Sequence, residues 1–533
     1  MKKLFLISTF GIIFALTGNL DVYAQRLDNN QEIQKIISAM QIIDLAYVDS
    51  VDMDKVVADA IVESLKELDP HSAYLSAEEV EKANEPLEGS FEGIGVTFQI
   101  YQDTIMVISP VPGGPSEKLG ILAGDKIVKI NGENSTGDKI DNEWVMQHLR
   151  GKKGSTVDVS IYRQGKKELL DFKIVRDKIP LNSIDATFMA NEEIGYIRLN
   201  RFSKTSQDEF ITSVKDLKSK GMTRLILDLR GNSGGYLNTA VELSDEFLPT
   251  GKMIVYTEGL HSPRQDFFST PLGSFEDGKL VIIIDEASAS ASEIVSGAVQ
   301  DWDRGMVIGR RSFGKGLVQR PFNLPDGSVI RLTTARYYTP TGRCIQRPYE
   351  NGTEEYYMDM IKRFEHGEYI YSDSIRFPDS LKYETPRGRV VYGGGGIMPD
   401  VFIPWDSTMF TDYYVELRRK GVLNNYTLQY VDQHRDKLNQ AYHDFDRFNE
   451  SFKVTPEIID EFKAAAEKEG VKFDEKGWTD SELLVLTQIK ALIARNLYDI
   501  NAFYKVMSDI DEEYHRAIEI LNDDQLFKKL KIG

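Results

Sequence analysis

Two stretches of this chain follow the same plan, and that plan restricts the fold more than any other feature. In "RLILDLRGNSGGYLNTAVELSDEFL" and in "LVIIIDEASASASEIVSGAVQDW" a run rich in Leu, Ile and Val ends at an aspartate, Asp228 or Asp285. Each then passes through a turn of small residues and opens into a helix. A strand that is apolar at nearly every position has no solvent face, so it must be buried. With "IGYIRLNRF" and "GMVIGRRSFGKG" as further strands and an amphipathic helix from Ser206 to Lys220, residues 179–405 read as a layered α/β core.

The rest of the 533 residues divides around that core. Residues 1–24 carry Lys2 and Lys3, an apolar run from Leu4 to Thr17 and the small Ala24, which predicts a secretory signal peptide cut before Gln25. The run is short for a bilayer span, no cysteine near the cut offers a lipid anchor, and no other span is expected. Residues 25–87 are helical in pattern, broken at Pro70 in "LDPHSAYLSAEEV" and restarted at Ser76. Residues 88–178 form a small β-rich module punctuated by turns at Gln102–Asp103, Asn131–Gly132 and Gln164–Gly165. Within the core, residues 350–392 are polar and read as a surface insertion, and "TGRCIQ" reads as a strand with a half-buried Cys344. Residues 406–533 are helical and highly charged. The fold class is a multidomain α+β protein.

Composition narrows the chemistry. A net charge of −19 makes nucleic acid or an anionic membrane surface a poor partner. A single cysteine excludes an internal disulfide. With no H-E-x-x-H and no second histidine at ligand spacing near "FEHGEY", neither a metal nor another cofactor is expected. Three serines remain, Ser288, Ser290 and Ser292, in a strand-to-helix turn where backbone N–H groups lack partners. Their ordinary role is helix capping. The same N–H groups could instead hold an oxyanion beside a nucleophilic serine. Such a serine needs a base. Of seven histidines only His261 and His366 lie in the α/β region, neither beside a Gly-rich turn, and there is no G-x-S-x-G elbow. Lys315, between Gly314 and Gly316, can serve if burial keeps its amine neutral, although a surface lysine in a turn is the plain alternative. "DLRGNSGG" is equally compatible with a phosphate cradle and with oxyanion donors.

Taken in order, "LDPHSAYL", "GIGV", "GGPSEKLGILAGDKIVKING", "DLRGNSGG", "SASASEI", "GRRSFGKGLVQ" and "GGGGIMPDV" resemble the carboxyl-terminal processing, or tail-specific, proteases over residues 30 to 405. The resemblance implies a serine–lysine dyad with Ser290 as nucleophile, Lys315 as base and Gln319 orienting the lysine. It leaves Ser288 to shape the turn and Ser292 to cap or line the helix start. It implies oxyanion donors at the N–H of Ala291 and at Gly234 or Gly235, with Gly231 a weaker candidate. It also implies a crotonase-like core with an inserted PDZ domain over 88–178. There the loop Gly93, Ile94, Gly95 and Val96 takes the terminal carboxylate of a substrate tail added as a strand. The expected protein is thus an exported serine endopeptidase of the periplasm or cell envelope acting on proteins with free C-terminal tails. An adaptor or a homo-oligomer formed through the helical regions is a further expectation. Two other readings stand beside it: a silent PDZ scaffold, and an acyl-transfer enzyme for small thioesters. An intact Ser290, Lys315 and Gln319 set disfavours the first, and export the second.

Overall fold

The structure, a computed structural model, describes residues 31–271 and 273–532; the expected leader over 1–24 lies outside them. Among the described residues no helix is long and apolar enough to cross a membrane.

A six-stranded sheet organises the core. Its strands run in chain order: β1 (Ile184–Met189), β2 (Ile194–Leu199), β3 (Arg224–Asp228), β4 (Lys279–Ile284), β5 (Met306–Gly309) and β6 (Val401–Phe402). β1 is antiparallel to β2 and every later pair is parallel. The alternation of side chains along a strand sends neighbouring residues to two different cores. Leu280, Ile282 and Ile284 of β4 join one apolar cluster, and Val281 and Ile283 join another. The first cluster is closed by α1 (Ser206–Ser219), α2 (Leu237–Asp245) and α3 (Ala291–Asp301), through Phe210, Val214, Leu243, Ile294 and Val295. The second is closed by α4 (Glu512–Asn522) and α5 (Asp524–Lys529), through Tyr514, Ala517, Ile520, Leu521 and Phe527. The late helices of the expected C-terminal region therefore close the second face of the core sheet.

A second sheet stands beside the first. It joins Ala73–Leu75, Val329–Tyr338, Met253–Gly259 and Ser262–Phe268, with Leu317–Asn323 paired to Val329–Tyr338. "TGRCIQ", expected as a strand, is irregular: Cys344 makes only an isolated bridge to Tyr338. The thiol is partly buried, as expected, and burial raises its pKa.

The β-rich module is pinched in from the core. Ser90–Gly93 pairs with Asp177–Pro180 at its neck, and inside lies a six-stranded antiparallel sheet. Gln102 and Asp103 take φ of 48° and 54°, the backbone that a two-residue hairpin turn requires. Helices between Asp412 and Leu497 form a bundle with its own core, including Leu417, Leu423, Phe448, Phe462 and Ile489. The helix Val422–Ala441 of that bundle holds the back of the module: Leu428 packs on Met106 and Ile108, and Lys126 pairs with Asp432 at 3.3 Å.

The segment 350–392 is more than a surface insertion. Its helix Thr353–Glu365 buries Tyr356 and Arg363, and Arg363 donates to the carbonyls of Arg311 and Ser312 in the segment that leads to Lys315.

Candidate active site

The three serines separate by what their hydroxyls do. Ser288 is fully buried and donates to the Leu229 carbonyl at 2.9 Å. Ser292 is fully buried and donates to the Asn232 carbonyl at 2.8 Å. Both stitch the serine turn to the "DLRGNSGG" turn. Ser290 is only partly buried, and among the described residues no acceptor takes its hydroxyl proton. It begins α3 with φ 56° and ψ −111°, a conformation that side chains other than glycine rarely adopt. Such strain costs on the order of 1–3 kcal/mol and persists only where the surroundings impose it.

Glu293 supplies part of that imposition. Its carboxylate is fully buried and accepts four hydrogen bonds, all from groups that bear on the site. Oε1 accepts from the Ser312 hydroxyl at 2.5 Å and the Gly314 N–H at 2.7 Å. Oε2 accepts from the N–H of Ser290 at 2.8 Å and the N–H of Lys315 at 2.9 Å. One oxygen thus holds the backbones of both Ser290 and Lys315. Tyr337 repeats the linkage with carbonyls, its hydroxyl lying 2.6 Å from the Lys315 oxygen and 3.1 Å from that of Ser290. Burial pushes the Glu293 pKa up to about 7 against those four donors. Every partner is a donor, and each favours the anion against that burial.

Lys315 occupies an irregular segment after β5. Burial lowers its pKa; the carboxylates of Glu293 and Asp69 oppose that, and Arg331 adds to it. Among the described residues no carboxylate pairs with its amine. A lysine kept from water and without a salt bridge is a proton acceptor in waiting.

The glycines face this pair. A Cβ on Gly234 would lie 2.9 Å from the Ser290 Cβ and 3.1 Å from the Ala291 nitrogen, so only glycine lets the turns approach so closely. The Gly231 N–H donates to Asp285 at 3.0 Å and the Gly234 N–H to the Asn232 side chain at 2.9 Å. The N–H groups of Ala291 and Gly235 have no acceptor among the described residues. Beside them runs a cleft of about 630 Å³ lined by Tyr236, Leu237, Thr239, Phe267, Val318 and Gln319.

Similarity to known proteins now bears on this geometry. The family models that match are Peptidase family S41 over residues 193–354, a PDZ domain over 93–174 and a family of unknown function over 413–499. A carboxy-terminal-processing protease of Bartonella bacilliformis is 38% identical over 342 residues, covering 62% of this chain and 78% of that protein. The chain belongs to peptidase family S41, the carboxy-terminal-processing proteases. The carboxy-terminal processing protease CtpB of Bacillus subtilis is 34% identical over 323 residues, 60% of this chain and 67% of that protein. Among solved structures, a photosystem II D1 C-terminal processing protease aligns with 27% identity and a TM-score of 0.33, over 59% of this chain and 90% of that one.

In this S41 peptidase the expected PDZ loop is only partly in the module's groove. Ile94, Gly95 and Val96 line it together with Phe98, Val145, Met146 and Leu149. The N–H groups of Ile94 and Gly95 have no acceptor among the described residues, while the Ile94 carbonyl is held by the N–H and hydroxyl of Ser116. Gly93 lies instead in the neck strand, opposite Asp177. Gln319 is not hydrogen-bonded to Lys315; its amide donates to the Thr333 hydroxyl at 3.2 Å, which in turn donates to Asp69 at 3.0 Å.

Asp69 and His71 are the residues that sequence reasoning missed. Asp69 accepts from the N–H groups of His71 and Ser72, from the Ser72 hydroxyl and from Thr333. His71 is 2.9 Å from the Tyr356 hydroxyl, and burial together with the nearby Lys315 charge lowers its pKa to about 4. A histidine therefore stands near the lysine after all, uncharged at neutral pH. Its signal lay inside "LDPHSAYL", too far along the chain from Lys315 for spacing to reveal.

Proposed function

We propose that the protein is a serine endopeptidase of the cell envelope that captures C-terminal tails on its PDZ domain and cleaves with a Ser290–Lys315 dyad. The observation that carries the reading is the asymmetry of the three serines. Ser288 and Ser292 spend their hydroxyls on the neighbouring turn, while Ser290 keeps its own and shares a carboxylate oxygen with Lys315 through backbone N–H groups. In the reaction, neutral Lys315 accepts the hydroxyl proton as Ser290 Oγ bonds to the peptide carbonyl carbon. The N–H groups of Ala291 and Gly235 take the charge that forms on the carbonyl oxygen. The C–N bond then breaks, the leaving amine receives the proton from Lys315, and water releases the acyl group by the reverse sequence. Gln319 acts on the lysine side through Thr333 and Asp69 rather than by direct contact. The strand order β1 to β6, with helices returning over one face, supports a crotonase-like core, and the expected leader supports export.

The test is incubation of residues 25–533 with an unstructured protein ending in a free apolar carboxyl terminus, with intact mass followed over time. Cleavage by wild type is expected, with loss in Ser290→Ala and Lys315→Ala and slowing when the tail is amidated. Tail binding without cleavage would make the protein a binding module instead.

A further inference from the structure

Arg230 and Arg310 stand behind the two segments that form the site. Arg230 lies in the turn that continues to Gly234 and Gly235; Arg310 follows β5 and opens the segment that continues to Lys315. Their guanidinium groups converge on the start of α4. The Arg230 fork meets Asp511, Nη1 to Oδ1 at 3.0 Å and Nη2 to Oδ2 at 2.6 Å. Glu513 bridges the pair, with Oε2 on Arg230 and Oε1 on Arg310. On the other side Asp228, fully buried, accepts from Tyr196, Arg198 and Arg230, and Glu286 accepts from Arg310 at 2.7 Å.

Neither acid is free to drift. Asp511 caps α4, accepting from the Tyr514 N–H at 3.0 Å, and α4 is seated under the sheet by Tyr514, Ala517, Ile520 and Leu521. Side chains of Arg230, Arg310 and Glu513 are 14%, 9% and 11% exposed and that of Asp511 is 24%, so the Glu513 pairs are the better sheltered from solvent screening.

We propose that Asp511 and Glu513 are positioning residues for the peptidase reaction, setting the spacing between the oxyanion turn and the lysine segment from behind. Glu293 and Tyr337 join the serine and lysine at the front, and Glu513 joins the oxyanion turn and lysine segment at the back. The two segments leave β3 and β5, which the sheet holds on either side of β4, but beyond Leu229 and Arg310 neither runs on as a strand, so their spacing there depends on side-chain contacts. Displacing reacting groups by about 1 Å can cost on the order of a hundredfold in rate. This assignment rests on the dyad reading above.

The experiment compares wild type, Glu513→Gln, Asp511→Asn and the control Glu512→Gln, whose carboxylate makes no ion pair among the described residues. Hydrogen exchange by mass spectrometry reads the 231–235 and 313–316 segments, and steady-state cleavage is expressed per folded enzyme. In Glu513→Gln both segments should exchange at least tenfold faster, and kcat should fall at least tenfold with KM within twofold. Asp511→Asn, which leaves Glu513 in place, should do the same more weakly and stands in if Glu513→Gln does not fold. Glu512→Gln should match wild type. Unchanged exchange in both segments overturns the proposal. Faster exchange with unchanged kcat per folded enzyme overturns its catalytic half and leaves a docking contact. Wild-type cleavage that survives Ser290→Ala and Lys315→Ala overturns the dyad reading, whatever the exchange of the segments shows.

Discussion

Ser290 holds φ at 56° with its N–H bonded to Glu293 and its carbonyl to Tyr337, and that strain is separable from its chemistry. Glycine accepts this conformation freely, so Ser290→Gly should be more stable than Ser290→Ala by about 1 kcal/mol in denaturant melts, with both inactive. Lys315 sets a pH dependence. Burial depresses its pKa below the ordinary lysine value; below the depressed value the amine is protonated and cannot accept. The kcat should therefore rise with pH through that value and level off above it. Glu293 raises the Lys315 pKa, so Glu293→Gln should move the rise towards lower pH. It should also cost about 1–3 kcal/mol for each N–H or O–H donor the amide leaves unpaired. A pH–rate profile that stays in place would remove Glu293 from the lysine's surroundings.

At the scale of the element, the β-rich module was the most legible part of the chain, for a physical reason. Its register is set by local turns, and there Asp103, Asn131 and Gly132 are the residues that positive φ requires or tolerates. The groove between Val96–Tyr101 and Asn142–Leu149 follows from that register. Met146 lines it without belonging to the buried core, so Met146→Glu should place a charge against an incoming carboxylate. Binding of a labelled apolar-tailed peptide, read by fluorescence anisotropy, should weaken at least tenfold, about 1.4 kcal/mol. Hydrolysis of a short peptide without the tail should hold steady. The insertion was less legible. Its polar composition read as surface, yet Tyr356 and Arg363 are buried against residues that only the fold brings near.

At the scale of the whole molecule, the α/β plan was readable from two strand–turn–helix stretches, but the cover of the sheet's second face was not. An amphipathic helix carries the same pattern whether it packs on another helix or on a sheet, and nothing local in "EEYHRAIEILN" names β3 and β4 as its partners. The Asp69–Thr333 and Arg230–Glu513 contacts are hidden in the same way, since each joins residues from distant parts of the chain. Because α4 is core packing, Ile520→Ala should cost about 2–5 kcal/mol, as buried aliphatic truncations do. The measurement is the denaturant midpoint for loss of cleavage, which should fall together with core unfolding. Order of synthesis gives this arrangement a further meaning. A chain emerging from the ribosome makes Ser290 and Lys315 long before α4, and until α4 arrives the sheet has one bare apolar face, and Arg230 and Arg310 lack Asp511 and Glu513. On the proposed dyad reading, an unfinished or clipped copy would hold both Ser290 and Lys315 and still lack the helix that packs behind them.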